Sequence, residues 1–423
     1  MEFQSSKEFA LSLDKKDQLA HFQDQYHFPI RNNRKSIYFC GNSLGLQPKQ
    51  TRTFINNELD NWAQNGVEGH FLEPKPWVRY SDLTKPSLAK LVGAQTNEVV
   101  SMNNLTTNLH LMLASFYYPK GKRTKILLEK GAFPSDHYAV ASHIKRLGLN
   151  PDEHMVTIEP SEGYNFSTDE IINKIADLGE ELALVLFPGV QYYSGQYFDM
   201  GTISRAAHEI GAYAGFDLAH AMGNLPMSLH KDDVDFATWC SYKYLNAGPG
   251  SVSGIFVHEK HSSNPDFPKL TGWWGHALAN RFEMNNKFVP ADGADAWMLS
   301  NLDILPMTAH IAALDLFDQA GIENLREKSI RLTGFLEYLL ITDEVLTNRI
   351  SIISPEDQSA RGCQLSVKVE GGKEIFHSLI EAGVILDWRE PGVIRLAPTP
   401  MYNSFLDVWE FFEILKNIYA RQK

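Results

Sequence analysis

The amino-acid sequence predicts an α/β protein with a large first domain, in which helices cover a mostly parallel sheet, and a smaller α+β domain after it. Two observations support this prediction. Between about residues 125 and 260, apolar runs of strand length alternate with amphipathic stretches of helix length, which is typical of βαβ units. After about residue 300 the alternation stops and two long helical patterns follow, which indicates a second structural unit.

The individual elements follow from the spacing of the apolar residues. Strands are predicted at residues 125–129, 155–159, 183–187, 212–216, 234–240, 254–258, 363–369 and 393–396. Helices are predicted at residues 134–145, 167–178, 203–210, 306–319, 322–340 and 374–382. A last helix is expected after Ser404, which forms a capping box with Asp407. We therefore divide the chain into a helical arm (residues 1–35), the large domain (36–300) and the small domain (301–423).

The composition argues against several classes of protein. The 423 residues include 39 basic and 51 acidic side chains, and the net charge of −12 argues against a general nucleic-acid binder. Cys40, Cys240 and Cys363 are far apart and form no CxxC pair, so we expect neither a disulfide framework nor a structural zinc site. We find no secretory signal and no apolar run of about 18 residues. A cytoplasmic location without membrane attachment is therefore expected.

Two polar residues follow strands of the predicted sheet, where open α/β sheets bind their ligands. Asp217 ends the run at 212–216, and Lys243 follows the run at 234–240 and precedes a glycine-rich turn. A lysine between two tyrosines loses solvation of its ammonium form, which favours the nucleophilic amine. A carboxylate at a strand end can pair with the cationic ring of a cofactor. Taken singly, a surface lysine and a helix-capping aspartate remain open alternatives.

Four further residues have a functional and an ordinary interpretation. Thr106 opens a helix whose N-terminus could bind a phosphate, or it is a helix cap. Phe133 could stack on a planar cofactor, or it belongs to the core. Arg395 could pair with a substrate carboxylate. His70, in a loop that contains glycines, is either a substrate contact or a polar loop residue.

Several motifs are missing from the sequence. It has no GxGxxG at the start of a βαβ unit and no GxxxxGK[ST], so dinucleotide and P-loop functions lack their phosphate-binding device. It also has no HExxH and no GxSxG. We interpret His220 and His230 as too isolated from carboxylates to form a metal centre, and we therefore expect none.

The chain resembles the kynureninase family, which consists of pyridoxal-phosphate enzymes of fold type I, the aspartate aminotransferase-like superfamily. The resemblance extends from about residue 37 to the last helix. It rests on the segments YFCGNSLGLQPK, GVEGHF, MNNLTTNLHLM, AFPSDHY, GFDLAHAMGN, WCSYKYLNAGPG, GWWGH and IRLAPTPMYNSF. It implies a pyridoxal-phosphate transferase-like fold and a homodimer with active sites at the interface.

The resemblance also implies roles for single residues. Lys243 would form a Schiff base with pyridoxal phosphate, Asp217 would pair with the pyridine nitrogen, and Tyr242 would reach the phosphate of the cofactor and act as a third catalytic residue. The other residues expected at the cofactor are Leu105, Thr106, Phe133, Pro134, Ser135, Asp136, His220, Trp273 and Asn301. The residues expected at the substrate are Arg395 on its α-carboxylate, Ser43 and His70 towards its aromatic end, and Asn301. Trp273 and Asn301 would act across the subunit interface.

One position departs from the family pattern. Pro188 follows the strand at 183–187, where the family often has a serine. A proline lacks the hydroxyl that this serine would bring to the cofactor. The nearby Tyr193 is retained, so the expected site keeps its other members.

The implied reaction is hydrolysis of L-kynurenine, or of its 3-hydroxy form, to an anthranilate and L-alanine, in tryptophan catabolism or NAD biosynthesis. Lys243 would remove the Cα proton, and Tyr242 would protonate Cβ. A cysteine desulfurase or selenocysteine lyase is an alternative that requires a reactive cysteine in a mobile loop. A protein that keeps the fold without activity is a second alternative, and it would bind no pyridoxal phosphate.

Overall fold

A computed structural model describes residues 3–421 of the chain. The α-helices are α1 Lys7–Asp14, α2 Thr51–Asn65, α3 Lys85–Val92, α4 Leu105–Phe116, α5 Pro134–Arg146, α6 Pro151–His154, α7 Thr168–Leu178, α8 Met200–Glu209, α9 Glu259–Ser262, α10 Leu278–Arg281, α11 Ile304–Ala320, α12 Ile322–Thr342, α13 Gly372–Glu381 and α14 Phe405–Arg421. Short 3₁₀ helices lie at Ala20–Gln25, Gly66–His70, Trp77–Leu83, Thr96–Glu98, Gly179–Glu181, Gly293–Trp297 and Gln358–Ala360.

The strands are β1 Tyr26–His27, β2 Ile30–Arg31, β3 Arg34–Lys35, β4 Ile37–Tyr38, β5 Gln47–Pro48, β6 Val99–Ser101, β7 Lys125–Glu129, β8 Met155–Ile158, β9 Leu182–Pro188, β10 Tyr213–Asp217, β11 Phe236–Trp239, β12 Gly254–Val257, β13 Ile350–Ile352, β14 Leu365–Val369, β15 Val384–Ile385, β16 Asp387–Arg389 and β17 Val393–Leu396. Each helix and strand predicted from the sequence corresponds to one of these elements, and the predicted and observed ends differ by a few residues.

The large domain is built on a seven-stranded sheet in the order β6-β12-β11-β10-β9-β7-β8. Strands β8, β7, β9, β10 and β11 are parallel to one another, and β12 is antiparallel to both β11 and β6. The predicted α/β class with a mostly parallel sheet is therefore confirmed. The reversed strand β12 is reached by a short connection after β11, where no crossover helix is available to restore the parallel direction.

Helices cover both faces of this sheet. In β9, Val185 and Phe187 point into one apolar core, and Leu184 and Leu186 point into another. Helices α3, α7, α8 and α11 contribute to the first core, and α4 and α5 to the second. Because both faces are buried, the strand reads as a continuous apolar run, which is the signal that predicts it from the sequence.

The small domain is a four-stranded antiparallel sheet in the order β13-β14-β17-β16. Helices α12, α13 and α14 pack on it in a third apolar core. The capping box predicted for α14 is present, because the amide of Asp407 donates to the Ser404 hydroxyl and the amide of Ser404 donates to the Asp407 carboxylate, each at 3.0 Å.

The first 39 residues contribute to this third core. Ala10, Leu13, Ile37 and Phe39 are buried in it, and β4 pairs with β15. Among residues 3–35, helix is found only in α1 and in the 3₁₀ helix Ala20–Gln25. The limits of the three predicted domains stay a prediction.

Among residues 3–421, no helix combines the length and the apolar character that crossing a lipid bilayer requires.

Asp14 connects the two ends of the described chain. Its carboxylate accepts the backbone N–H groups of Phe405 at 2.7 Å and Leu406 at 3.0 Å, at the start of α14. These are two of the amide groups that a helix leaves without partners inside its own first turn. The side chain of Asp14 therefore stabilises a helix 391 residues further along the chain.

We predict that Asp14→Ala lowers the free energy of unfolding by about 1–2 kcal/mol, because capping carboxylates contribute roughly this much. Urea unfolding followed by circular dichroism measures the effect. The control is Asp24→Ala, at an exposed aspartate of the same segment. Equal stability of the two variants would show that Asp14 does not cap α14.

Candidate active site

A cavity of about 340 Å³ lies at the carboxyl ends of β7, β9 and β10. Most of the residues predicted from the sequence line it, namely Ser43, Leu105, Thr106, Phe133, Ser135, Asp136, Asp217, His220, Tyr242, Lys243 and Arg395. The sheet brings them together because parallel strands end at the same edge, as expected for this class of fold.

Lys243 extends into this cavity from the turn after β11. Its Nζ lies 2.9 Å from Nε2 of His220 and 5.9 Å from the ring centre of Phe133. The turn is held by Gly45, whose amide donates to the carbonyl of Tyr242 at 2.8 Å. A Cβ at position 45 would overlap the carbonyl oxygen of Lys243, so this close approach of two backbones requires glycine.

His220 is neutral in this environment. Burial, and then the positive charge of Lys243, lower its pKa well below the usual value. A neutral imidazole keeps one nitrogen lone pair, so Nε2 can accept a hydrogen bond from Nζ of Lys243. The other ring nitrogen, Nδ1, is buried and has no partner among residues 3–421.

Asp217 and Asp136 form a buried pair of carboxyl groups. Asp217 ends β10, and its carboxylate accepts the amide of Ala219 at 2.7 Å. Burial and the neighbouring Asp217 raise the pKa of Asp136 well above its usual value. Burial also raises the pKa of Asp217, while Lys243 opposes that rise. Because the rise is the larger one for Asp136, we assign the proton of the pair to Asp136 and its negative charge to Asp217.

Two helix N-termini supply hydrogen-bond donors to the cavity. Asn104 caps α4, with its side chain accepting the amide of Thr107 at 3.1 Å. The hydroxyl of Thr106 lies 3.0 Å from that of Ser135, in the first turn of α5. Pro134 is the first residue of α5 and does not line the cavity. Two positive helix ends and two hydroxyl groups together can bind a phosphate.

Arg395 is buried, with 1% of its side chain exposed, and has several protein partners. Its Nε and Nη2 contact the two oxygens of Asp387 at 3.0 and 2.9 Å. Nη1 donates to the carbonyl of Tyr192 at 2.9 Å, and Nη2 donates to the Ser43 hydroxyl at 3.0 Å. Ser43 therefore lies beside Arg395, and its own hydroxyl donates to Asp387 at 2.6 Å.

Besides Pro134, three predicted site residues lie outside the cavity of their own chain. His70 closes a 3₁₀ helix and packs edge-on against Trp77, with ring centres 5.1 Å apart. Trp273 is 40% exposed, and Asn301 is exposed next to a separate small pocket. Residues that are far apart along the chain come together only through folding or through assembly with another subunit. The sequence motifs alone therefore could not show where these three residues lie.

Eight residues that line the cavity were not predicted as site members, and Glu129, Pro188, Tyr192 and Arg389 are four of them. Glu129 ends the buried strand β7, Pro188 ends β9, and Tyr192 and Arg389 lie in loops or at a strand end around the cavity. A charged residue at the end of an apolar run is a sequence signal that could have identified Glu129. Tyr192, whose ring contacts Phe133 edge-on at 5.4 Å, lines the cavity, whereas the retained Tyr193 does not.

The expectation that His230 is remote from carboxylates is wrong. Its Nδ1 lies 2.9 Å from Glu98, and the ring of His258 stacks on it at 4.8 Å. Each potential ligand atom already has a protein partner. Both Glu98 oxygens accept backbone amides, and Nδ1 of His258 accepts the amide of Lys260. These contacts explain the cluster as a hydrogen-bonded connection between loops.

The three cysteines are free and poorly suited to nucleophilic chemistry. Cys240 and Cys363 are buried, and Cys40 is half-buried. Burial raises the pKa of Cys40 to about 11 and that of Cys363 to about 12, and it also raises the pKa of Cys240. Thiols with such pKa values carry almost no thiolate at neutral pH. The structure therefore disfavours the cysteine-dependent lyase alternative.

Glu129 is neutral at physiological pH. It is 1% exposed, its only side-chain hydrogen bonds in residues 3–421 come from Gln191 at 3.2 and 3.4 Å, and burial raises its pKa to about 8. A buried carboxyl with one weak amide donor favours its protonated form.

We predict that Glu129→Gln makes the free energy of unfolding fall less as the pH rises from 5 to 8. The native protein keeps the Glu129 proton between the pKa of an unfolded glutamate, near 4.5, and about 8. Stability therefore falls as the pH rises through this range. Urea unfolding at pH 5 and pH 8 should show a difference smaller by a few kcal/mol in Glu129→Gln. The control is Glu159→Gln, at an exposed glutamate, and an unchanged pH dependence in Glu129→Gln would contradict an ionisable buried Glu129.

Known proteins are similar to this chain over nearly its whole length. The chain is 48% identical to the kynureninase of Christiangramia forsetii, over 98% of this chain and 99% of that protein. It is 50% identical to the kynureninase of Xanthomonas campestris pv. campestris, over 96% of this chain and 97% of that protein. Residues 325–415 match the kynureninase C-terminal domain family.

Solved structures with the same fold have low sequence identity. An apo cysteine desulfurase from Thermococcus onnurineus has a TM-score of 0.74 at 16% identity, covering 91% of this chain and 95% of that one. The cysteine desulfurase CsdA of Escherichia coli has a TM-score of 0.73 at 15% identity, covering 96% and 98%. These likenesses show the fold alone. The near-complete match to relatives at about half identity shows that the chain belongs to the kynureninase family.

Proposed function

We propose that the protein is a pyridoxal-phosphate-dependent hydrolase that cleaves L-kynurenine, or 3-hydroxy-L-kynurenine, to anthranilate or 3-hydroxyanthranilate and L-alanine. The observation that carries the proposal is one cavity that contains the Lys243 amine, the charged Asp217 carboxylate and the Arg395 guanidinium. Membership of the kynureninase family supports it, because the relatives carry that enzyme's name.

The residues of the cavity fit pyridoxal phosphate. Nδ1 of His220 is buried without a partner among residues 3–421, and the ring of Phe133 is 44% exposed beside Lys243. Lys243 would bind the aldehyde, Asp217 the ring nitrogen and Phe133 the ring face. The α4 N-terminus, with Thr106 and Ser135, would bind the phosphate. Bound there, the cofactor would supply an electron sink for the bonds at the substrate Cα.

Lys243 and His220 are arranged for proton transfer at Cα. As a free amine, Nζ of Lys243 can accept the Cα proton. Nε2 of His220, 2.9 Å away, accepts one N–H and so directs the nitrogen lone pair. Because its pKa is well below the usual value, His220 does not take the proton itself.

Tyr242 is a suitable proton donor for Cβ. Burial raises the pKa of its phenol above the usual value, so the hydroxyl stays protonated at neutral pH. The reaction needs one water, whose oxygen becomes part of the anthranilate carboxylate, and one proton at Cβ of the alanine product. Transfer from Tyr242 would provide that proton, and solvent would restore it.

We also propose that the protein acts as a homodimer. His70, Trp273 and Asn301 lie outside the cavity of their own chain, yet the family resemblance expects all three at cofactor or substrate. A second subunit could bring these residues to the cavity. A cytoplasmic location is proposed as well, since the free thiols suit a reducing compartment.

We predict that Lys243→Ala abolishes turnover of both kynurenine substrates and the visible absorption of the bound cofactor, because no other amine lines the cavity among the described residues. Steady-state kinetics with each substrate and absorption spectra measure this. The control is Lys130→Ala, at an exposed lysine near the end of β7, which should retain activity. Full turnover by Lys243→Ala would refute the proposal, and wild-type protein without bound cofactor would indicate a fold without activity.

We predict that mixing Lys243→Ala with Trp273→Ala restores activity if Trp273 acts across the interface. After subunit exchange, about half of the dimers are hybrids, and one of the two sites in each hybrid is intact, so about a quarter of wild-type activity should return. The measurement is activity after denaturation and joint refolding. Activity that equals the mean of the separate variants would place Trp273 in the site of its own subunit, or in none.

A further inference from the structure

The small domain presents two arginines to the cavity from adjacent strands. Asp387 in β16 lies directly opposite Arg395 in β17, and Arg389, two residues further along β16, shares the face of Asp387 because side chains alternate along a strand. Arg389 and Arg395 line the cavity, whereas Asp387 contacts both guanidinium groups without lining it.

Arg395 has little capacity left for a substrate. A guanidinium carries five N–H donors. Nε hydrogen bonds to Asp387 at 3.0 Å, one Nη2 N–H hydrogen bonds to Ser43, and one Nη1 N–H hydrogen bonds to the Tyr192 carbonyl. Nη2 also lies 2.9 Å from the other Asp387 oxygen, as an ion pair without an aligned hydrogen bond. Three of the five donors therefore make hydrogen bonds among residues 3–421, and a fourth is held in the ion pair with Asp387. The Nε–Nη2 edge that usually binds a carboxylate with two parallel hydrogen bonds is occupied by Asp387.

Arg389 has the donors that Arg395 lacks. Within residues 3–421, its hydrogen bonds all start from Nη2, to Asp387 at 3.1 Å and to Ser43 at 3.5 Å. Its Nε is buried and makes no aligned hydrogen bond, although an oxygen of Asp387 is 2.9 Å away. The side chain is 36% exposed, so it can turn towards a ligand in the cavity.

Arg389, Arg395 and Asp387 together carry one more positive charge than negative charge. Burial acts to raise the pKa of Asp387, but Arg395 and then Ser43 and Arg389 outweigh it, so the pKa lies below the usual value and the group is ionised. Two guanidinium cations and one carboxylate give a net charge of +1. One substrate carboxylate neutralises this surplus.

We propose that Arg389 binds the substrate α-carboxylate together with Arg395, and that Asp387 limits their joint charge to that of one carboxylate. This assignment rests on the proposed function, in which the substrate is an amino acid. It extends the role expected for Arg395 alone, and it makes Arg389 a substrate-binding residue of the small domain.

The test compares Arg389→Gln and Arg389→Lys with wild-type cofactor-loaded enzyme. The first measurement is kcat and KM for L-kynurenine. The second is titration with L-alanine, the amino-acid product, and with L-alaninol, which keeps the amine but lacks the carboxylate, followed by the visible absorption spectrum. The matched control is Arg349→Gln, at an arginine of the small domain outside the cavity.

We expect Arg389→Gln to raise KM and to weaken L-alanine binding by about 10- to 100-fold, the usual effect of losing a charge-assisted hydrogen bond. Its kcat should stay within about threefold, its L-alaninol affinity should not change, and Arg389→Lys should lie between it and wild type. Unchanged L-alanine affinity, equal weakening of both ligands, or a lysine variant as weak as the glutamine variant would overturn the proposal. Wild-type enzyme that fails to cleave L-kynurenine refutes the proposed function, while the L-alanine titration still tests Arg389.

Discussion

The cavity depends on burying several ionisable groups together without leaving a charge uncompensated. An isolated buried charge costs several kcal/mol, so Lys243, Asp217 and Asp136 are tolerable only as a set. The proton on Asp136 reduces two carboxylates to one negative charge, and Lys243 faces it. His220 adds no charge because burial keeps it neutral. Because of this charge balance, His220 keeps a free nitrogen lone pair and Asp217 keeps its negative charge. The proposed chemistry uses both properties.

Two domains meet at the cavity, and a short segment joins them. Lys243 and Asp217 come from the large domain, and Arg389 and Arg395 from the small one. Between β4 and β5, Ser43 binds Arg395 and Gly45 binds the backbone of Tyr242. The eight residues between β4 and β5 therefore contact both the proposed substrate-carboxylate site and the backbone next to Lys243.

The sequence predicts the sheet and much of the site because both depend on local signals. The strand at Lys125–Glu129 and the carboxylate at Asp217 are marked by apolar runs that end at the same sheet edge. The partners of Arg395 could not be predicted, because strand register sets the contact with Asp387. The contact between His230 and the carboxylate of Glu98 could not be predicted either, because the two residues are 132 positions apart along the chain.

The contact between Asp14 and α14 also sets an order for biosynthesis. Asp14 leaves the ribosome before the large domain, and the start of its partner helix follows 391 residues later. At about 5–20 residues per second, the start of α14 is synthesised roughly 20 to 80 seconds after Asp14, which caps it. The large domain can close its own sheet during this interval, so the nascent chain completes its inner part before its two ends are joined.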